Sequence, residues 1–280
     1  MKLDLNAAWD QAVRLIAANR EVMLVLGGVF FFLPYVLFTL LVPVPDFASV
    51  AGPSGQNAPA LMAAMNGFVA EYWWALLLFA LVLSAGAIAV MAVIGDPSRP
   101  TVGTAVTRAG VYLPTTFATQ VITSFATTLV MVLATFLGAL TGSEGVAATL
   151  SVFALPVIIW LMTRWSLSGA VIAIDRTANP VAALRRSWRL TAGNGMRLVA
   201  FYVLLFAAFF VVSQVLSLVV RLIVALPSAD IARVLGALLS GLLFAALILV
   251  GYAVLASIHR QFARAERTRE ADTSAPDPAQ

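Results

Sequence analysis

Apolar positions run almost unbroken through six stretches of the chain: 22–42, 72–94, 114–140, 147–174, 198–224 and 231–258. A bilayer core takes about 20 mostly apolar residues per helix, and every stretch reaches that length. Several exceed it, which predicts tilt or projection beyond the core. Backbone polar groups in lipid must bond within their own segment, so each stretch is read as a helix. A membrane barrel would instead alternate polar and apolar residues over segments of about ten. The expected fold is all-α, a polytopic membrane helix bundle of six transmembrane helices forming one domain over 1–262.

A second period lies between the apolar stretches. In 2–20, Leu5, Trp9, Ala12 and Ile16 share one helical face, and Asp10, Gln11 and Arg14 lie outside it. In 180–192, Val181, Leu184, Trp188 and Thr191 form the stripe, with Arg185, Arg186 and Arg189 outside it. Asn179 suits an N-cap, Pro180 the first helical position and Gly193 the C-terminal end. Such helices are expected to lie flat in the membrane interface. Arg14-Leu15-Ile16-Ala17-Ala18-Asn19 aligns with Arg189-Leu190-Thr191-Ala192-Gly193-Asn194. A weaker middle copy falls on 101–112, with Val102, Val106 and Ala109 at helical spacing. The reading is three parallel units, roughly 2–95, 99–175 and 179–260, each a cytoplasmic-face amphipathic helix followed by a two-span hairpin. A short interfacial helix is expected over 60–69, after Pro59. Glu71, Tyr72, Trp73 and Trp74 read as an outer anchor, Trp160 and Trp165 as an inner one. The segment 263–280 reads as a disordered cytoplasmic tail.

Charge gives the direction. Of 17 basic residues, 14 fall in alternate connections on one side, Arg164 near the same face makes 15, and only Arg221 and Arg233 flank the other. The positive-inside rule then places both termini in the cytoplasm. The first apolar run begins at Val22, after an amphipathic lead, and is long enough to span, so no cleavable signal peptide is read. Composition agrees with a membrane protein: 61% hydrophobic, 11% charged, mean hydropathy +0.97. The net charge of +4 marks span ends facing anionic headgroups, not a nucleic-acid surface. There is no cysteine, which removes disulfides and thiolate chemistry.

Candidate chemistry is sparse. His259 is the only histidine, and with no partner motif it reads as an interfacial residue. The 13 carboxylates lie in loops, at span ends or in the terminal segments. No metal, nucleotide or nucleophile motif is present, so no cofactor and no enzymatic activity are expected. Thr116, Thr119, Gln120, Thr123 and Thr127 form a polar stripe on the third span. It is either a helix-packing face or the lining of a polar cavity. Arg164 lies deep in the fourth span, either snorkelling to headgroups or forming a specific site. Asp175 is placed to pair with an arginine of 180–192. Arg185, Arg186 and Arg189, beside Trp188, serve topology, anionic lipid or an acidic partner. Ala237, Gly241 and Ala245 make a small-residue ridge for packing within the chain or for self-association. Pro34 and Pro156 predict kinks.

The stretch Thr163-Arg164-Trp165-Ser166-Leu167-Ser168 to Asp175, followed by Asn179-Pro180-Val181-Ala182-Ala183-Leu184-Arg185-Arg186-Ser187-Trp188-Arg189-Leu190-Thr191, resembles a bacterial membrane-domain family associated with glycerophosphoryl diester phosphodiesterases. That family includes stand-alone six-span members. The resemblance implies membrane architecture without phosphodiester hydrolysis, because the chemistry there belongs to a separate soluble barrel with histidines and metal-binding carboxylates. The expectation is a non-catalytic inner-membrane protein of a bacterium. It would act as an envelope or lipid-associated scaffold touching anionic headgroups, with a homo-oligomer or an envelope protein as further partner. The alternative is a transporter or lipid translocator using a cavity beside the threonine stripe.

Overall fold

The computed structural model describes residues 4–52, 57–95, 101–224 and 229–274. The chain opens with α1 (Leu5–Ala18), which turns at Asn19 into the first span. That span is built from α2 (Arg20–Gly27), a π-helical segment Gly28–Phe32 and α3 (Leu33–Leu41). The π segment has a local cause. Pro34 has no N–H, and Leu33 N–H bonds five residues back to the Gly28 carbonyl. A short α4 (Phe47–Ala51) precedes α5 (Ala58–Gly95), the second span. Then come α6 (Val102–Leu140), α7 (Glu144–Trp165), α8 (Ser168–Ile174), α9 (Pro180–Leu190), α10 (Gly195–Val224) and α11 (Ala229–Ser274). No strand occurs among the described residues. Six helical segments are long and apolar enough to cross a membrane: Arg20–Leu41, Ala58–Gly95, Val102–Leu140, Gly145–Ile174, Gly195–Leu216 and Arg233–Glu266. The chain is a multi-pass helical membrane protein.

The short helix expected over 60–69 is present as the first part of α5, set off from the crossing part by a kink at Tyr72 (φ −111°, ψ 18°). Two local expectations change. The middle amphipathic copy is likewise the first part of α6, with no break before the span. Nothing between Tyr112 and Thr115 stops the helix, because Pro114 keeps a helical φ and interrupts only one hydrogen bond. At about 1.5 Å per residue α6 is roughly 58 Å long. It therefore projects well beyond a core of about 30 Å. The segment from 263, expected to be disordered, is helical as far as Ser274. Phe262 and Ala263 are buried, and the Ala, Arg and Glu residues that follow are strong helix formers. Residues 275–280 lie outside the described residues.

The outer amphipathic helices behave as units. Asn19 and Asn194, aligned in sequence, play the same part. The Asn19 carbonyl accepts from Met23 N–H at 2.9 Å and the Asn194 carbonyl from Leu198 N–H at 3.0 Å, which starts each span. Asn179 caps α9, its Oδ1 accepting from Ala182 N–H at 3.1 Å, and Pro180 follows as the first helical residue. Gly193 takes a left-handed φ of +77° beyond the end of α9.

Packing is unequal along the bundle. Every residue from Ile88 to Ile94, at the C-terminal end of α5, is buried on all faces. Around it lie Ala8 and Ala12 of α1, Leu26 of α2, Ala105 and Ala109 of α6, Ala170–Ala173 of α8 and Ala253–Ile258 of α11. At the opposite end the α6–α7 hairpin exposes Phe125, Phe136 and Phe153, as a lipid-facing surface does. Its tip still crosses closely. A Cβ on Gly138 would lie 2.2 Å from the Ala147 Cα. The small-residue ridge is used inside the chain. Ala237 and Ala245 are buried, and a Cβ on Gly241 would meet Val36 at 2.7 Å, so the ridge seats α11 on α3.

Candidate functional site

The sequence-nominated residues gather where α7, α8, α9 and α11 meet at the basic end of the bundle. α7 stops at Trp165 and α8 begins at Ser168, which frees the Arg164 carbonyl from helical bonding. Ser187 Oγ donates to that carbonyl at 2.8 Å and Thr191 Oγ1 at 3.4 Å, both from α9. The Arg164 guanidinium lies over the Trp188 ring at 4.5 Å and over Trp160 at 5.8 Å. The two indoles meet edge-on at 4.9 Å, and Trp165 reaches Trp188 at 6.2 Å. Arg164 is 8% exposed. It does not snorkel. Cation–π contacts of about 0.5–2 kcal/mol each hold the cation inside the protein. Trp160 and Trp165 are likewise walls of this box, a use the inner-anchor reading did not include.

Asp175 closes the adjoining end of α8. Arg186 Nε donates to its Oδ2 at 2.7 Å and His259 Nε2 lies 3.2 Å from the same oxygen. The other side of Arg186 reaches Glu266 Oε2 at 3.4 Å. One ionic clasp thus joins α8, α9 and α11. Burial raises the Asp175 carboxyl, but the hydrogen bonds and charges of His259 and Arg186 outweigh it and hold the group below its ordinary value. The pairing of Asp175 with an arginine of α9 was foreseen from sequence. The parts of His259 and Glu266 were not, since each lies more than eighty residues from Asp175 along the chain and no local motif marks them. His259 is 1% exposed, and its Nδ1 has no hydrogen-bond partner among the described residues. An ionised carboxylate only accepts, so the contact with Asp175 calls for a hydrogen on Nε2. The backbone helps to aim Asp175. Arg176 takes φ +55°, unusual for a residue with a Cβ. Thr115 Oγ1 anchors the loop to α6 by donating to the Ala178 carbonyl at 2.8 Å.

Arg185 and Arg189 are exposed and point away from this tie. The expected stripe of α9 rotates slightly. Ala183, Leu184, Ser187 and Leu190 are buried, as is Thr191 just beyond them, while Val181 is exposed.

The threonine stripe is mostly spent on its own helix. Thr119 Oγ1 donates to the Thr115 carbonyl at 2.8 Å, Thr123 to Gln120 at 3.0 Å and Thr127 to Thr123 at 3.0 Å. Gln120 alone crosses, donating from Nε2 to Ser84 Oγ of α5 at 3.1 Å. A small cavity of about 140 Å³ lies beside the stripe, lined in part by Thr116, Thr119, Gln120, Ser166, Ser168 and Tyr252. It has room for a few waters. Thr116 Oγ1, buried and without a protein partner, lines it. Thr123, Thr127 and Arg164 do not line it, so the stripe and the arginine do not share one cavity.

Set against known proteins, the chain matches no family model, no curated protein and no solved structure. The geometry of its own residues is therefore the basis for a functional reading.

Proposed function

We propose that the chain is a non-catalytic, lipid-associated scaffold of a bacterial inner membrane, with both termini in the cytoplasm. The observation that carries this reading is the tie at the basic end. There α7, α8, α9 and α11 are joined by the Arg164 box and by the clasp through Asp175, Arg186, His259 and Glu266. Alternating-access transport needs bundles that rock about a central site. This end instead joins helices of the second and third units in one packed layer. The cavity beside the threonine stripe has room for a few waters, far less than a phospholipid. The direction of insertion rests on the fifteen-to-two distribution of basic residues.

Lipid scrambling in proteoliposomes tests the reading. Vesicles carrying the protein and a headgroup-labelled fluorescent phospholipid should bleach only their outer leaflet on dithionite addition, like protein-free vesicles. Bleaching of the inner leaflet would replace the scaffold by a translocator. Topology is checked with single cysteines, since the chain has none. Ala51→Cys should react with an impermeant maleimide in spheroplasts, and Thr268→Cys only after permeabilisation.

A further inference from the structure

We propose that the groove between α1 and α11 is a binding site for a phosphate group, an inference that rests on the lipid-associated reading above. Asp4, Gln11 and Arg14 face Arg260, Gln261 and Arg264 across a groove of about 650 Å³. Three guanidinium groups thus meet one carboxylate, and Asp4 Oδ1 already accepts from Ala7 N–H at 3.0 Å to cap α1. Among the described residues no carboxylate forms an ion pair with Arg14 or Arg264. Arg260 and Arg264 stand one turn apart on α11 and repel each other. The clasp on α9 solves the same problem with Asp175 and Glu266, whereas the groove has no comparable acid. An anion supplied from outside completes it.

The groove is held open by its own walls. Ala8 and Ala12 are buried against α11, and Ser257 Oγ donates to the Ala8 carbonyl at 2.7 Å. Gln261 Nε2 donates to the Asp4 carbonyl at 3.2 Å, tying the start of α1 to the end of α11. Arg260 donates to the Ile94 carbonyl at the end of α5, which fixes its guanidinium at the groove. Forked guanidinium donors and two amide side chains match the oxygens of a phosphate mono- or diester. On α1 the groove residues lie opposite the exposed Trp9 and Val13, so the site opens away from the helix's apolar flank. A phosphate reaches it either on a lipid headgroup of the adjacent leaflet or as a soluble ester.

The test compares wild type, R14Q/R264Q and R185Q/R189Q; Arg260 is kept because it also bonds the α5 end. Native mass spectrometry counts phosphatidylglycerol retained after release from mixed phosphatidylcholine–phosphatidylglycerol nanodiscs. Thermal shifts in neutral detergent are read with glycerol 3-phosphate and with inorganic phosphate. Wild type should retain phosphatidylglycerol preferentially or be stabilised by the soluble phosphates, and R14Q/R264Q should weaken that response about tenfold or more. R185Q/R189Q should match wild type. Loss of retention alone identifies the headgroup as the source, and loss of the soluble response identifies an ester. Retention that survives R14Q/R264Q but falls in R185Q/R189Q overturns the groove and leaves the lipid-associated reading standing. A wild type with neither lipid preference nor phosphate response overturns both.

Discussion

Helices α1 and α9 start from one plan, an amphipathic helix that ends at an asparagine and turns into a span, yet they are held in different ways. α1 lies on α11 through two buried alanines, the Ser257 hydroxyl and the Gln261 amide, with Trp9 exposed and its polar face of Gln11 and Arg14 turned to a groove. α9 is bonded to a freed carbonyl, stacked on a buried cation and clasped by two acids. The difference shows what an amphipathic pattern decides and what it leaves open. The pattern sets which face turns inward. Whether the helix becomes a fixed joint or an open surface depends on acids and aromatics supplied by other helices.

The largest test of that contrast is a pair of tryptophans. Trp188→Ala removes the ring that covers Arg164 and should cost about 3 kcal/mol or more. Trp9→Ala removes a largely exposed ring and should cost about 0.5 kcal/mol. Thermal unfolding in one detergent measures both, and equal losses would erase the distinction between joint and surface. Next comes Asp175→Ala, which removes the acceptor shared by Arg186 and His259 and should cost about 2 kcal/mol. Because the Asp175 carboxyl is held below its ordinary value, its contribution is complete above the ordinary carboxylate range and disappears as pH falls through the lowered value. The gap in Tm between wild type and Asp175→Asn should therefore be constant above about pH 5 and narrow below about pH 4. A gap that widens on acidification would contradict the clasp.

A smaller test sharpens the comparison by matching bonds. Ser187 Oγ donates to the Arg164 carbonyl at 2.8 Å, and Ser257 Oγ to the Ala8 carbonyl at 2.7 Å. Both hydroxyls are buried, so each serine-to-alanine change should cost about 1 kcal/mol. Ser257→Ala should also speed proteolysis near α1, because that hydroxyl bonds the α1 backbone directly. The smallest effect belongs to Arg185→Gln with Arg189→Gln, both exposed, which should move stability by less than about 0.5 kcal/mol.

The spans were legible because lipid demands long apolar runs, and the caps of α9 because Asn179 and Pro180 act within three residues of themselves. The motif residues Ala183, Leu184, Ser187, Leu190 and Thr191 were visible as a pattern, and all five are buried. The clasp was half legible. Asp175 and Arg186 are eleven residues apart and fell within view, while His259 and Glu266 arrive from the last helix. Arg164 misled because depth alone cannot distinguish an arginine reaching for headgroups from one enclosed by rings on a neighbouring helix. The break before the third span was overcounted, since the weak amphipathic stretch at 101–112 carries nothing that stops a helix, whereas the one at 60–69 is set off by the kink at Tyr72.

The buried C-terminal end of α5 has a consequence for biogenesis. Its seven residues from Ile88 to Ile94 are enclosed by segments that begin with α1 and finish only with α11. While the ribosome is still making the middle of the protein, the second span already sits in the membrane with its future centre uncovered. The first hairpin therefore cannot mature on its own. Its packing is complete only when the last helix has joined it.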